Sequence, residues 1–144
     1  MQQVDLKDHL LDVKYFTDKN SLKNIIKDKN GVIVLFYADW CGHCKMLKPA
    51  YKAFIDRNNK NVLIKAVDMT KNSDPSIERL SKMLNIEGFP TIISFDKEGN
   101  IFSNFNGNRT LDNLEKYAIY VGDYNYVKNN MNQIKGGSDP FFTL

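Results

Sequence analysis

Cysteine is scarce in this chain. Cys41 and Cys44 are the only two among 144 residues. A single pair cannot form the disulfide framework that small secreted domains depend on. Histidine is equally rare, with His9 and His43 alone. A zinc site needs about four such ligands, so no metal is expected within one chain, and zinc remains only as a site shared between two chains. Long apolar runs are missing too. The longest, Val32–Ala38, is far below the ~20 residues of a membrane span, so no membrane association is expected. The opening stretch MQQVDLKDHLLDVKYF is broken by Asp5, Lys7, Asp8 and Asp12 and has no apolar segment of leader length. A cytoplasmic location is the expectation on these residues, with the lumen of the endoplasmic reticulum as the alternative if a leader was removed. Neither charge sign dominates: 20 Lys and Arg stand against 17 Asp and Glu, interspersed, for a net +3. No basic stripe points to nucleic acid. No glycine-rich phosphate loop is present, so no nucleotide or flavin cofactor is expected.

What remains is an ordinary globular composition, 42% hydrophobic, in a chain long enough to bury one core. Residues 12–16 (DVKYF) alternate weakly and predict an edge strand. Thr17 or Asp18 caps a helix with Leu22, Ile25 and Ile26 on its inner face, and Asn30-Gly31 ends it. VIVLFYA at 32–38 is short, β-branched and apolar throughout, the pattern of a strand covered on both faces. Leu47, Tyr51, Phe54 and Ile55 recur at helical spacing, with Pro49 inside the pattern. VLIKAV at 62–67 predicts another strand. Asp74-Pro75 starts a helix presenting Ile77, Leu80, Met83 and Leu84. TIISF at 91–95 and IFSNF at 101–105 flank a short turn with Gly99, a β-hairpin. Thr110 caps a last helix whose inner face is Leu111, Leu114, Tyr117, Ala118 and Val121, with Gly122 ending it. The order βαβαβαββα predicts an α/β fold with a central mixed sheet flanked by helices. Residues 1–11 read as an N-terminal extension, 12–122 as the folded domain, and 123–144 as a partly disordered tail from which Tyr124, Tyr126 and Val127 dock back.

The two cysteines fall where the buried strand gives way to the next helix, in YADWCGHCKMLKP at 37–49. Cys41 sits at the helix N-terminus, where unpaired N–H groups and the positive end of the helix dipole favour an anion. That placement favours a nucleophilic thiolate. Cys44 lies one turn further in, within bonding reach and less exposed. The pair can therefore exchange with a disulfide, Cys41 attacking first and Cys44 resolving the mixed disulfide. An imidazolium at His43 would stabilise the Cys41 thiolate and make the couple more oxidising. The alternative is two buried structural cysteines.

FYADWCGHCK at 36–45 resembles the active-site motif of the thioredoxin superfamily, and its Gly42-His43 pair resembles the catalytic domains of protein disulfide isomerases. Three further segments match in order: NIEGFPT at 85–91, similar to the loop that ends in a cis-proline; Pro49, at the kink of the active-site helix; and FNGNRT at 105–110, similar to the segment that carries a mobile arginine. The resemblance covers about residues 12–121 and implies a thioredoxin fold. It implies that Pro90 is cis against the cysteine pair, keeping metal out and leaving the Phe89 backbone free to pair with a substrate strand. Trp40 and Gly42 then flank the sulfurs as contact surface, and Arg109 swings inward to stabilise the Cys44 thiolate. The alternative for Arg109 is a surface residue beside a helix cap.

One departure stands out. The family carries a buried acid six residues before the first active-site cysteine and pairs it with a lysine on the neighbouring strand. Here those positions are Leu35 and Ala66. An apolar pair need not destabilise a fold, but it removes a proton acceptor for Cys44 and predicts a slower resolving step. Two functions follow. One is a thiol–disulfide oxidoreductase or isomerase acting on protein thiols and disulfides, regenerated by an unidentified reductase or sulfhydryl oxidase. A cytoplasmic oxidative-folding system of the kind large cytoplasmic viruses maintain, or the virion itself, would reconcile Gly-His with the missing leader. The other is a binding or structural module that keeps the groove and little catalysis. Asn108-Arg109-Thr110 also fits a glycosylation sequon, although Thr110 is accounted for as a cap.

Overall fold

The computed structural model describes residues 4–58 and 61–131. In chain order the elements are α1 (Lys19–Ile26), β1 (Val32–Tyr37), α2 (Gly42–Arg57), β2 (Leu63–Asp68), α3 (Pro75–Met83), β3 (Thr91–Phe95), β4 (Ile101–Asn104) and α4 (Leu111–Met131). The four strands form one mixed sheet in the order β2-β1-β3-β4. β1 runs parallel to β2 and antiparallel to β3, and β4 pairs antiparallel with β3.

Every residue of β1 is buried because both faces of the sheet are covered. Alternate side chains divide between two cores. Ile33, Leu35 and Tyr37 join Leu47, Tyr51 and Phe54 of α2 and Leu114 and Val121 of α4. Val32, Val34 and Phe36 join Leu22 and Ile26 of α1 and Ile77 and Leu80 of α3. α2 therefore lies against the end of β1, and the β1–α2 junction is held from both sides.

The structure departs from the sequence reading at both ends of the domain. Residues 12–16 form no strand. Val13–Phe16 is a 3₁₀ turn, because the Asp12 carboxylate accepts the Lys14 N–H at 3.0 Å and closes the backbone locally. The turn delivers Phe16 into the core between Phe36 and Phe95. Sheet-like pairing on that side is one bridge, Leu10 with Ala66 of β2, carried by the Leu11 N–H to the Ala66 carbonyl at 2.8 Å. The segment before residue 12 is part of the core all the same: Leu6 is 1% exposed, in the cluster that holds Leu35 and Cys44. Asp18, rather than Thr17, caps α1. That helix ends at Ile26, before Asn30-Gly31. Gly31 has φ +97° and lies so close to Phe95 that a Cβ there would sit 2.9 Å from its carbonyl oxygen. Met83 faces outward rather than into the core.

At the other end, Gly122 does not stop α4. The helix runs on to Met131, and a Cβ on Gly122 would stand 3.1 Å from Val62 Cγ2, so the residue permits close packing instead of a break. The extension is anchored by Asn125, which is 1% exposed. Its Nδ2 donates to the Val121 carbonyl, and its Oδ1 accepts the Lys97 N–H at 3.2 Å. Tyr124 stacks on Phe102 with ring centroids 4.0 Å apart, and Lys128 pairs with Asp96. Residues 123–131 thus belong to the folded domain, although Tyr126 stays exposed. The rest of the expected tail, 132–144, lies outside the described residues.

Candidate active site

Cys41 is the N-cap of α2, with extended backbone (φ −91°, ψ 118°). A sulfur here replaces the oxygen of the usual capping side chain. Its Sγ accepts the Cys44 N–H at 3.3 Å, and its thiol donates to the Phe89 carbonyl at 3.4 Å. Cys41 is partly exposed, whereas Cys44 is closed to solvent, and both are free thiols. The Cys44 thiol is pushed up to about 12. Burial is the main cause and its hydrogen bond with Cys41 adds to it, while the backbone at Ala38 and the charge of Lys48 act the other way.

Gly42 and His43 form the exposed first turn of α2, and a Cβ on Gly42 would meet nothing. Trp40 is 56% exposed. Its indole N–H donates to the Thr70 carbonyl at 3.0 Å, and its ring meets Phe89 edge-on with centroids 5.8 Å apart. The Asp39 N–H donates to Thr70 Oγ1 at 2.9 Å, and the Thr70 hydroxyl is held in turn by Asp68. The loop carrying the motif is therefore braced on the loop that follows β2.

The third wall comes from 85–91. Asn85, with φ +55°, closes the end of α3 and turns the chain towards the site. The Phe89–Pro90 peptide is cis, Pro90 is buried, and Thr91 Oγ1 donates to the Gly88 carbonyl at 2.6 Å. Arg109 comes in from the chain before α4. It is exposed, and its Nη2 donates to the Pro90 carbonyl at 3.5 Å. Trp40, Gly42, Cys41, Cys44, Phe89 and Pro90 are thus brought together, with His43 at the rim. Arg109 touches the proline loop and not the buried cysteine.

Leu35 and Ala66 both have no exposure and are partners across the β1–β2 ladder. The sequence reading missed a charged group that acts on Cys44. Lys48 Nζ lies 2.9 Å from Asp39 Oδ1 and 4.7 Å from the centroid of the Tyr37 ring. Burial, then Asp68, Asp39 and Asp5, hold the Tyr37 phenol well above its ordinary range. The spacing of Lys48 from Cys44, four residues on one helix face, was the available signal. Among the described residues no three His, Cys, Asp or Glu side chains stand together to hold a metal. No helix there is long and apolar enough to cross a membrane.

A model of the Thioredoxin family matches residues 12–119. The chain belongs to the thioredoxin family. Among its relatives, a protein disulfide-isomerase of Drosophila melanogaster is 38% identical over 131 residues, covering 82% of this chain and 25% of the relative. Protein disulfide-isomerase C17H9.14c of Schizosaccharomyces pombe is 35% identical over 102 residues, covering 69% of this chain and 27% of the relative. This thioredoxin-family chain therefore spans about a quarter of the length of those curated relatives. In solution structure, the first thioredoxin domain of mouse protein disulfide-isomerase A4 superposes with a TM-score of 0.56 at 26% identity, covering 87% of this chain and 79% of that one.

Proposed function

We propose that this chain is a thiol–disulfide oxidoreductase acting on protein substrates through Cys41 and Cys44. The observation that carries the reading is the pairing of the two cysteines at the start of α2. A partly exposed Cys41 caps α2 and accepts the N–H of Cys44, whose side chain is closed to solvent. An N–H aimed at Cys41 Sγ favours the anion, so Cys41 is the nucleophile. Its thiolate attacks one sulfur of a substrate disulfide, the S–S bond breaks, and the other substrate sulfur leaves as a thiolate. Cys44 loses its proton to solvent and attacks Cys41 Sγ. The mixed disulfide breaks, the second substrate thiolate leaves, and a Cys41–Cys44 disulfide remains. The two electrons gained by the substrate come from the dithiol. Run backwards, the same steps oxidise a substrate dithiol.

His43, exposed two residues after Cys41 and one before Cys44, stabilises the Cys41 thiolate when protonated. Trp40, Gly42, Phe89 and Pro90 form the substrate surface, with the Phe89 backbone as the edge to which an extended segment pairs. Arg109 acts on Cys44 only after leaving the Pro90 carbonyl. The relatives being protein disulfide-isomerases supports protein thiols as substrates.

A second reading, a binding module with weak catalysis, is favoured by the apolar Leu35–Ala66 pair. The reduction potential of the cysteine pair, by equilibration with glutathione and mass analysis of trapped thiols, separates the cases. A value near about −180 mV marks an oxidant or isomerase and one near about −270 mV a reductase. If Cys41→Ala matches the intact protein in reduction of a disulfide substrate, the enzymatic reading fails and the module remains.

A further inference from the structure

Cys44 must lose a proton before it can attack, yet its surroundings resist ionisation. Leu35 and Ala66 share its buried cluster and offer neither an acid nor a cation. Arg109 is engaged at Pro90. One cation does act on Cys44 from its own helix. Lys48 lies four residues on, one turn along the same face, and its charge opposes the effect of burial on the thiol.

Two contacts fix that ammonium. It is 2.9 Å from Asp39 Oδ1 and 4.7 Å from the centre of the Tyr37 ring. The Lys48 side chain is only 16% exposed, against 58% for Asp39, so the cation is held on the Tyr37 side instead of ranging through solvent. A cleft of about 720 Å³ opens beside it, lined also by Asp5 and Asp68. The titratable and charged groups around Cys44 and this cleft are Cys41, Lys45 and Lys48 on α2, Tyr37 ending β1, Asp39 just beyond, Asp68 ending β2, and Asp5 and Lys7 of the N-terminal segment. Tyr37 stays protonated and contributes no negative charge. Asp68, Asp39 and Asp5 act on Tyr37, whereas the charges that act on Cys44 are Cys41 and Lys48, so Lys48 is the group that offsets the negative charge Cys44 acquires.

We propose that Lys48 is a positioning residue for the resolving step, a cation held between Asp39 and Tyr37 that stabilises the Cys44 thiolate where β1 and β2 supply no charged pair. This rests on the oxidoreductase reading. As Cys44 S–H gives its proton to solvent, the new thiolate faces the Lys48 ammonium. It then attacks Cys41 Sγ, and the outgoing thiolate takes up a proton from solvent. Lys48 keeps its own protons throughout.

The test follows one turnover. Reduced protein is mixed with glutathione disulfide, quenched in acid at intervals, alkylated and analysed by mass. In the intact protein glutathione appears on Cys41 and leaves as the internal disulfide forms. In Lys48→Met the first step is unchanged, resolution is about fivefold slower at neutral pH, and the pH–rate profile moves up by about 0.7 unit, the effect of one partly screened charge. Lys48→Arg restores both. If methionine at 48 prevents folding, judged by thermal melting, Lys48→Gln replaces it with the same expectation. Resolution within twofold of normal, slowing with no displacement of the pH profile, or no rescue by arginine overturns the proposal. Failure of the intact protein to form and resolve the mixed disulfide would instead overturn the oxidoreductase reading itself.

Discussion

Leu35 on β1 and Ala66 on β2 face each other directly across the parallel ladder, both without solvent exposure. Both belong to the buried cluster that contains Cys44. Hydrocarbon at these positions costs nothing in desolvation, whereas a carboxylate and an ammonium would each cost several kcal/mol unless they paired well.

The double variant Leu35→Glu, Ala66→Lys should therefore raise the rate of resolution in a single-turnover assay while leaving the melting temperature close to normal. Leu35→Glu alone buries an unmatched carboxyl and should lower stability by about 3–5 kcal/mol in urea unfolding. A double variant that folds correctly and resolves no faster would mean that proton transfer from Cys44 does not limit the step.

Alkaline pH should weaken the reduced protein. The Cys44 thiol is raised in the folded state to about 12, so the unfolded chain loses this proton first. The contribution is fully present below the ordinary thiol range and declines as pH rises through it towards the folded value. Tyr37, also raised, acts in the same direction at higher pH. Stability measured from pH 7 to 10.5 should fall less steeply in Cys44→Ala than in the unaltered reduced protein. Parallel curves would show that Cys44 is not held neutral by burial.

Leu6 offers a packing test of the N-terminal segment. Leu6→Ala should cost about 2–5 kcal/mol by leaving a cavity and should speed alkylation of Cys44 in the folded protein, because the cavity opens in the shared cluster. Unchanged stability would mean that the segment lies on the domain without supporting it.

Asn125 tests the extended α4. Asn125→Ala leaves the Lys97 N–H without its partner and should lower stability by about 1–3 kcal/mol, with hydrogen exchange quickening in the β3–β4 turn and after Gly122. Loss confined to the end of the helix would separate the extension from the rest of the domain.

Much of this was legible in the residues. VIVLFYA announced a doubly covered strand because each of its positions is apolar. Asp74-Pro75 and Thr110 marked helix starts through local hydrogen bonding that needs no tertiary context. The motif placed Cys41 at a helix cap because the strand and helix around it were plain. Legibility ended where a local preference met a long-range contact. Gly122 reads as a helix stop until Val62 is seen packed against it. Residues 12–16 alternate like a strand, but the Asp12 side chain closes a turn first. Lys48 stands four residues after Cys44, but only the folded chain sets it against Tyr37 and Asp39. Arg109 reads as a mobile cation for Cys44 or as a surface residue beside a helix cap, while its contact with the Pro90 carbonyl depends on a chain path that no local pattern encodes.

The hydrogen bond from Cys41 to Phe89 ties the proposed nucleophile and the proposed docking edge to one carbonyl. Only a protonated sulfur can donate. Once Cys41 ionises it still accepts the Cys44 N–H, but it has no proton to offer Phe89, and that oxygen regains a lone pair for another donor. On the proposed reading, ionising the sulfur and freeing the Phe89 carbonyl are then a single event.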